Sequence, residues 1–211
     1  MRNINSGDWQ QSNLQVFWGE LAPCHHLVQI YENEKVFLDA LEGFIGSGFI
    51  AGDAVIIIAT AEHLIAIEER LKAQGFDIDA LSSTDQFIPL EANEMLSRFM
   101  VNNWPDENLF FELITRLLKR VQKNNRKVRA FGEMVAILWQ QGFNGATVQL
   151  EYLWNKLHEN NDFTLFCVYP KIGFTQDIHT SMDLICSAHT KVIDGSPRPS
   201  TEIYYKTGTH R

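Results

Sequence analysis

The sequence predicts a three-layer α/β/α fold built on a mostly parallel, open sheet. Three observations lead there. Apolar runs of strand length alternate with segments of helical period. The segments between strands are long enough to be helical crossovers rather than hairpin turns. DAVIIIAT, Asp53 to Thr60, is an unbroken β-branched run of the kind found in strands covered on both faces. Strands joined by such crossovers form right-handed βαβ units, with helices on both sides of a twisted sheet.

HLVQIY, His26 to Tyr31, reads as the first strand. Val36, Phe37, Ala40, Leu41, Phe44 and Ile45 then recur at helical spacing, and Gly46 and Gly48 read as the stop. After the central run a helix extends from Glu62 to Gln74 and closes at Gly75. DQFIPL, Asp85 to Leu90, is a third strand. Helices fit Ala92 to Val101 and, after the start signal WPDE with Pro105 and Asp106, Glu107 to Lys123. Val128 to Gly132 is a strand and Met134 to Gln141 a helix. A break from Gly142 to Gly145 precedes another helix to His158, and FTLFCVYP, Phe163 to Pro170, is the last clear strand. Residues 1–20 are polar with scattered Trp9, Phe17 and Trp18, an expected arm on a domain spanning 21–194. From Gly195 the chain is rich in Pro, Gly, Ser and Thr, and a mobile tail over 195–211 is expected.

A length of 211 residues with 45% hydrophobic and 21% charged residues suits one globular domain with a real core. The chain has no apolar run of the roughly 18 residues a membrane span needs, and MRNINSGDWQQSN offers no signal-like apolar segment. The expectation is a cytoplasmic protein without membrane contact. A net charge of -8, from 18 basic and 26 acidic residues, argues against direct nucleic-acid binding. The one basic cluster, Arg116 to Arg129, covers a helix end, where cations complement the dipole. Cys24, Cys167 and Cys186 are widely spaced and form no C-x-x-C pair, so neither a disulfide framework nor a zinc motif is indicated. Cys167 reads as a small buried strand residue. Of seven histidines only His25 and His26 are close, and neighbours in a strand point to opposite faces, so no metal and no cofactor is expected.

In open α/β sheets ligands bind beyond the carboxyl ends of the strands. That directs attention to Tyr31 to Lys35, Thr60 to His63, Glu133, and Tyr169 to Phe174. A nucleotide site would need glycines after the first strand so that backbone N–H groups reach phosphates. YENEKVF stands there instead, and Glu32 and Glu34 would repel a triphosphate, with Lys35 alone as a cation. The dinucleotide pattern G-x-G-x-x-G is absent, and GSGFIAG lies at a helix end. A G-x-S-x-G elbow is also missing and no cysteine sits at a strand end, so no catalytic nucleophile is expected. Glu133 is open to three roles: general base, contact for a polar ligand, or partner for the exposed N–H groups of the helix starting at Met134. His26 and His63 are each either ligand contacts or hydrogen-bonded structural residues.

HLVQIYENEKVFLDAL, GDAVIIIATAEH, RFMVNNWPD, VRAFGEMVAILW, LEYLWNKL, FTLFCVYP and a late HTKVI, in that order, resemble the MEDS domain, the sensory module of the DcmR type found in methanogens and methylotrophs. The resemblance covers Cys24 to Ile193. It implies a RecA/KaiC-like fold, a degenerate P-loop NTPase that has lost its nucleotide machinery. Laid on that fold, LVQIYENEKVFLDAL falls at the phosphate loop, VIIIATAEH where catalytic acids would stand, and KVRAFGEM at the strand of the magnesium-associated acid, near Glu133. The resemblance further implies sensing of small hydrocarbon derivatives, in a family whose members are often fused to histidine kinases or DNA-binding regulators. No kinase core or helix-turn-helix is apparent here, so output would pass through a protein partner or through self-association.

The resulting expectation is a non-enzymatic module that binds a small organic ligand at the strand ends, with His26, Tyr31, His63, Glu133 and Tyr169 as polar contacts and Trp139 and Phe174 as walls. Plain core packing is the competing reading for Trp139 and Trp154. The alternatives for the whole chain are a residual KaiC-like ATPase and a ligand-free regulator of a kinase or transcription factor.

Overall fold

The structure, a computed structural model, describes residues 26–122, 125–173, 185, 189, 191–195 and 205–207. Five parallel strands form its centre: β1 (His26–Tyr31), β2 (Ala54–Ala59), β3 (Phe87–Glu91), β6 (Val128–Gly132) and β7 (Thr164–Pro170). With β8 (Lys191–Gly195) and β9 (Tyr205–Thr207) the spatial order is β3-β2-β6-β7-β1-β8-β9. β8 is parallel to β1, and β9 is antiparallel to β8. All six residues of β2 are buried, as its unbroken apolar run predicts.

Alternation along the strands divides the core into two. Leu27, Val55, Ile57, Phe131, Phe166 and Val168 face α1 (Glu34–Ala51), α2 (Ala61–Ala73) and α3 (Ile78–Ser83). Val28, Ile56, Ile58, Ala130, Leu165, Cys167 and Tyr169 face α4 (Ala92–Ser97), α5 (Glu107–Val121), α6 (Met134–Gln140) and α7 (Asn144–His158). Each such side chain contributes about 1.5–3 kcal/mol by leaving water, so both faces must be covered for the sheet to hold.

The first helix differs from expectation. It continues through Gly46 and Gly48 and stops at Gly52, whose φ of 78° is the left-handed conformation that favours glycine. Gly48 serves a close approach: a Cβ there would lie 2.9 Å from Arg129 Cδ. Arg129, on β6, lies across the helix, donates to Asp53 Oδ2 at 2.8 Å and to Ser47 Oγ at 2.8 Å, and sits 5.6 Å from the Phe44 ring centroid. The single helix expected over Ala92 to Val101 is instead α4 followed by a hairpin of β4 (Met100–Val101) and β5 (Trp104–Pro105). Asn102 and Asn103, both at positive φ, supply its two-residue turn. The short helix α3 and the strands β8 and β9 were not anticipated; β9 lies within the span expected to be mobile.

The Arg129–Asp53 pair is nearly dry, at 7% and 10% side-chain exposure. Removing one partner of such a pair leaves a buried charge unmatched, so Asp53→Ala should lower the unfolding free energy by about 3–5 kcal/mol. Gly48→Ala should cost about 1–3 kcal/mol by displacing the guanidinium. Urea denaturation midpoints read both, and unchanged midpoints would disprove the locking of Arg129 across Gly48.

Candidate functional site

β2 and β6 are neighbours, but the chain leaves their carboxyl ends toward opposite faces of the sheet, to α2 and to α6. A crevice forms where adjacent strands diverge in this way. Thr60 and His63 come from the β2 side, Glu133 from the β6 side, and Tyr31 and Glu34 from the end of β1.

Glu133 spans this gap. Although it occupies the N-cap position of α6, its side chain makes no capping bond there. One carboxylate oxygen instead accepts from the Thr60 N–H at 2.9 Å, and the other lies 2.8 Å from His63 Nδ1. At 5% exposure the carboxylate is spent on these two partners. Thr60 in turn caps α2, accepting from the His63 N–H at 3.4 Å.

His63 holds the more open position. Its Nε2 lies 3.5 Å from Glu34 Oε1, and its ring meets Phe37 edge-on at 5.0 Å. Burial alone would lower its pKa, but the hydrogen bond and charge of Glu133, helped by Glu34 and Glu62, outweigh it and leave His63 above 6.5. Tyr31, half-buried, stacks on Phe37 at 4.9 Å. Burial, with Glu133 and Glu34 adding repulsion, pushes its phenol up to about 12. The crevice mouth therefore carries a neutral phenol, an imidazole inclined to hold a proton, and carboxylates around a phenylalanine floor.

His26 and Tyr169 are not part of this group. His26 opens β1 at its amino end and faces the opposite side of the sheet, toward α7. Its Nδ1 lies 2.9 Å from Asn155 Oδ1 and its Nε2 3.4 Å from Cys167 Sγ. Tyr169 donates to Glu151 Oε1, and Trp139 meets the Tyr169 ring edge-on at 6.3 Å. His189 completes a second, fully buried cluster, whose ligand atoms on His26, Glu151, Cys167 and His189 lie within 4.8 Å of one another. Burial pulls His26 down to about 3 and His189 to about 4, and pushes Glu151, Cys167 and Tyr169 up. Phe174 lies outside the described residues, as do Cys24 and Cys186.

The seven side chains expected around one pocket thus fall into two groups on opposite faces, plus one not described. Glu151 and His189 were missed because both lie outside strand ends: Glu151 is on an apolar helix face and His189 stands alone in the chain. A third feature, a concavity of about 360 Å³ bordered by Phe76, Asp77, Leu81, Thr84 and Gln86, lies near the start of β3. Asp77 is already used to cap α3, and the hollow brings together few polar groups, so it is a poorer candidate than either cluster.

The family described as MEDS, MEthanogen/methylotroph, DcmR Sensory domain, matches residues 25–189, and the chain belongs to it. No curated protein matches the sequence. Among solved structures, a KaiC-like protein from the hyperthermophilic archaeon Pyrococcus horikoshii OT3 is similar at a TM-score of 0.58 and 12% identity, over 90% of this chain and 81% of that one. A likeness at that identity speaks to the fold, which is RecA/KaiC-like as the resemblance in sequence implied.

Glu133→Gln should cost about 1 kcal/mol or more of stability, because it weakens the charge-assisted bonds to Thr60 and His63. It should also drop the His63 pKa, read by NMR titration of the ring. A group raised in the folded state stabilises most below its unfolded value and least above its folded value. The stability difference between wild type and His63→Gln should therefore be full below pH 6.5 and fade as the pH rises through the His63 pKa. A difference that grows with pH would contradict the pairing.

Proposed function

We propose, with membership of the MEDS sensory-domain family as the premise, that the chain is a non-enzymatic sensor taking a small organic ligand at the carboxyl ends of β1, β2 and β6. His63, Tyr31 and Glu34 are its polar contacts, Phe37 its apolar floor, and Glu133 the group that fixes the His63 ring. The observation that carries this reading is the state of the α1 N-terminus, where a RecA-like fold would hold phosphates. Asn33 turns its own side chain onto the Lys35 N–H at 2.8 Å, and the flanking Glu32 and Glu34 bring negative charge to the same turn. Lys171 is paired with Glu32, and Lys35 with Asp39. A triphosphate would meet acids and an occupied cap, whereas a small ligand with a hydroxyl, amine or halogen needs only one or two polar contacts and an apolar wall.

Output is proposed to pass through a protein partner, such as a histidine kinase or transcription regulator, or a second copy of the chain. Supporting this, Trp104 is half exposed beside Gly145, and Val148 and Tyr152 continue one face of α7 at 59% and 55% exposure. Among the described residues no helix is long and apolar enough to cross a membrane.

A thermal-shift series tests the ligand. A ligand that binds only the folded chain adds about 2.7 kcal/mol at a hundred times its Kd, so one of a panel of short alcohols, amines and halogenated alkanes should raise the melting temperature, and His63→Ala should remove the rise. Mg-ATP should give no shift. Tight nucleotide binding would return the chain to the ATPase reading, and silence across the whole panel would favour a ligand-free interaction protein.

A further inference from the structure

We propose that the buried cluster under β1 and β7 is a binding site for a borderline-soft divalent metal ion of the zinc class, held by His26 Nε2, His189 Nε2, Cys167 Sγ and Glu151 Oε2. The proposal does not rest on the small-ligand reading, since the two sites lie on opposite faces of the sheet.

The first argument is distance. A tetrahedral ion with bonds of about 2.0–2.3 Å has donor–donor edges of roughly 3.3–3.7 Å. His26 Nε2 to Cys167 Sγ is 3.4 Å, and both His26 Nε2 and His189 Nε2 are 3.5 Å from Glu151 Oε2. The remaining separations do not exceed 4.8 Å.

The second argument is where the protons are. The Ile185 carbonyl, 2.6 Å from His189 Nδ1, can only accept, so Nδ1 carries the proton and Nε2 turns a lone pair inward. The Asn155 oxygen does the same for His26. Glu151 Oε1 accepts from the Tyr169 hydroxyl, which aims Oε2 into the cluster. Glu151 Oε2 and His189 Nε2, both buried, have no hydrogen-bond partner among the described residues. Four ligand atoms thus converge, and the outer atoms of His26, His189 and Glu151 are already bonded, which is how metal ligands are oriented by the residues behind them.

The third argument is charge. Among the described residues Glu151 pairs with no lysine or arginine, and its Oε2 faces the His26 and His189 rings at 3.5 Å. A divalent ion would match the carboxylate and a Cys167 thiolate together. Two imidazoles, a thiolate and a carboxylate select a borderline metal over magnesium or calcium, which prefer oxygen alone. Four protein ligands also close the shell, so the ion would tie β1, β7, α7 and residue 189 together rather than offer an open catalytic position.

The test uses the full chain. Protein from zinc-supplemented cells should retain a stoichiometric zinc after gel filtration in metal-free buffer, and a chelator should lower its melting temperature, restored by Zn²⁺ and not by Mg²⁺. Co²⁺ added to the metal-free chain should give a thiolate-to-cobalt charge-transfer band and the intense visible bands of tetrahedral cobalt. Cys167→Ser should abolish the first, and Cys24→Ser/Cys186→Ser should leave it. Asn155→Ala, which removes the partner of His26 Nδ1, should weaken zinc affinity about 10- to 100-fold. Folded wild type with no stoichiometric metal and no cobalt spectrum would overturn the proposal whether or not the variants fold, as would a charge-transfer band that survives Cys167→Ser.

Discussion

A parallel sheet covered on both faces governs what every polar residue in this chain can do. Its four central strands, β1, β2, β6 and β7, have no wet side, so any charged group placed on one must find its partners inside the protein. Arg129 on β6 does so against α1, with Asp53, Ser47 and the Phe44 carbonyl taking up its donors. His26 and Cys167 do so against α7 on the other face. Only the strand ends escape the constraint, and there the polar residues are partly open, as with Tyr31 and His63.

Glu133 shows how the strand end is organised. Its carboxylate, just beyond β6, has its two oxygens taken by a backbone N–H across the strand gap and by an imidazole. The same bonds that occupy Glu133 orient His63 toward Glu34 and the crevice. At the α1 N-terminus, the Asn33 side chain takes the Lys35 N–H, with Glu32 and Glu34 on either side of the cap.

The layer order and most elements were legible because their signals are local: the β-branched run of β2, the Pro105/Asp106 start of α5, and Gly75 after α2. Misreadings arose where a residue serves something distant. Gly48 looks like a helix stop but makes room for Arg129, which lies 82 positions beyond its hydrogen-bond partner Ser47 in the sequence. Glu133 and His63 could be placed at strand ends by topology, yet that they bond each other could not be read from spacing. The buried cluster was hidden further: His26 and Cys167 are 141 residues apart, so no ligand spacing exists to find. Periodicity assigned Glu151 only to a helix, and burial of a carboxylate on an apolar face is a fact of packing.

Satisfaction of hydrogen bonds ranks the three buried ionic groups. Arg129 and Asp53 are matched, and nothing beyond stability is needed to account for them. Glu133 is matched as well, but its partner His63 keeps Nε2 turned toward the crevice, with only an exposed glutamate 3.5 Å away. Glu151 is matched on one oxygen alone, and its other oxygen faces two ring nitrogens at 3.5 Å without a hydrogen bond. Buried ion pairs seldom add stability over an apolar core of the same shape, and an incomplete one costs it. That difference separates the His26–Glu151 cluster from the Arg129–Asp53 pair, which is also buried.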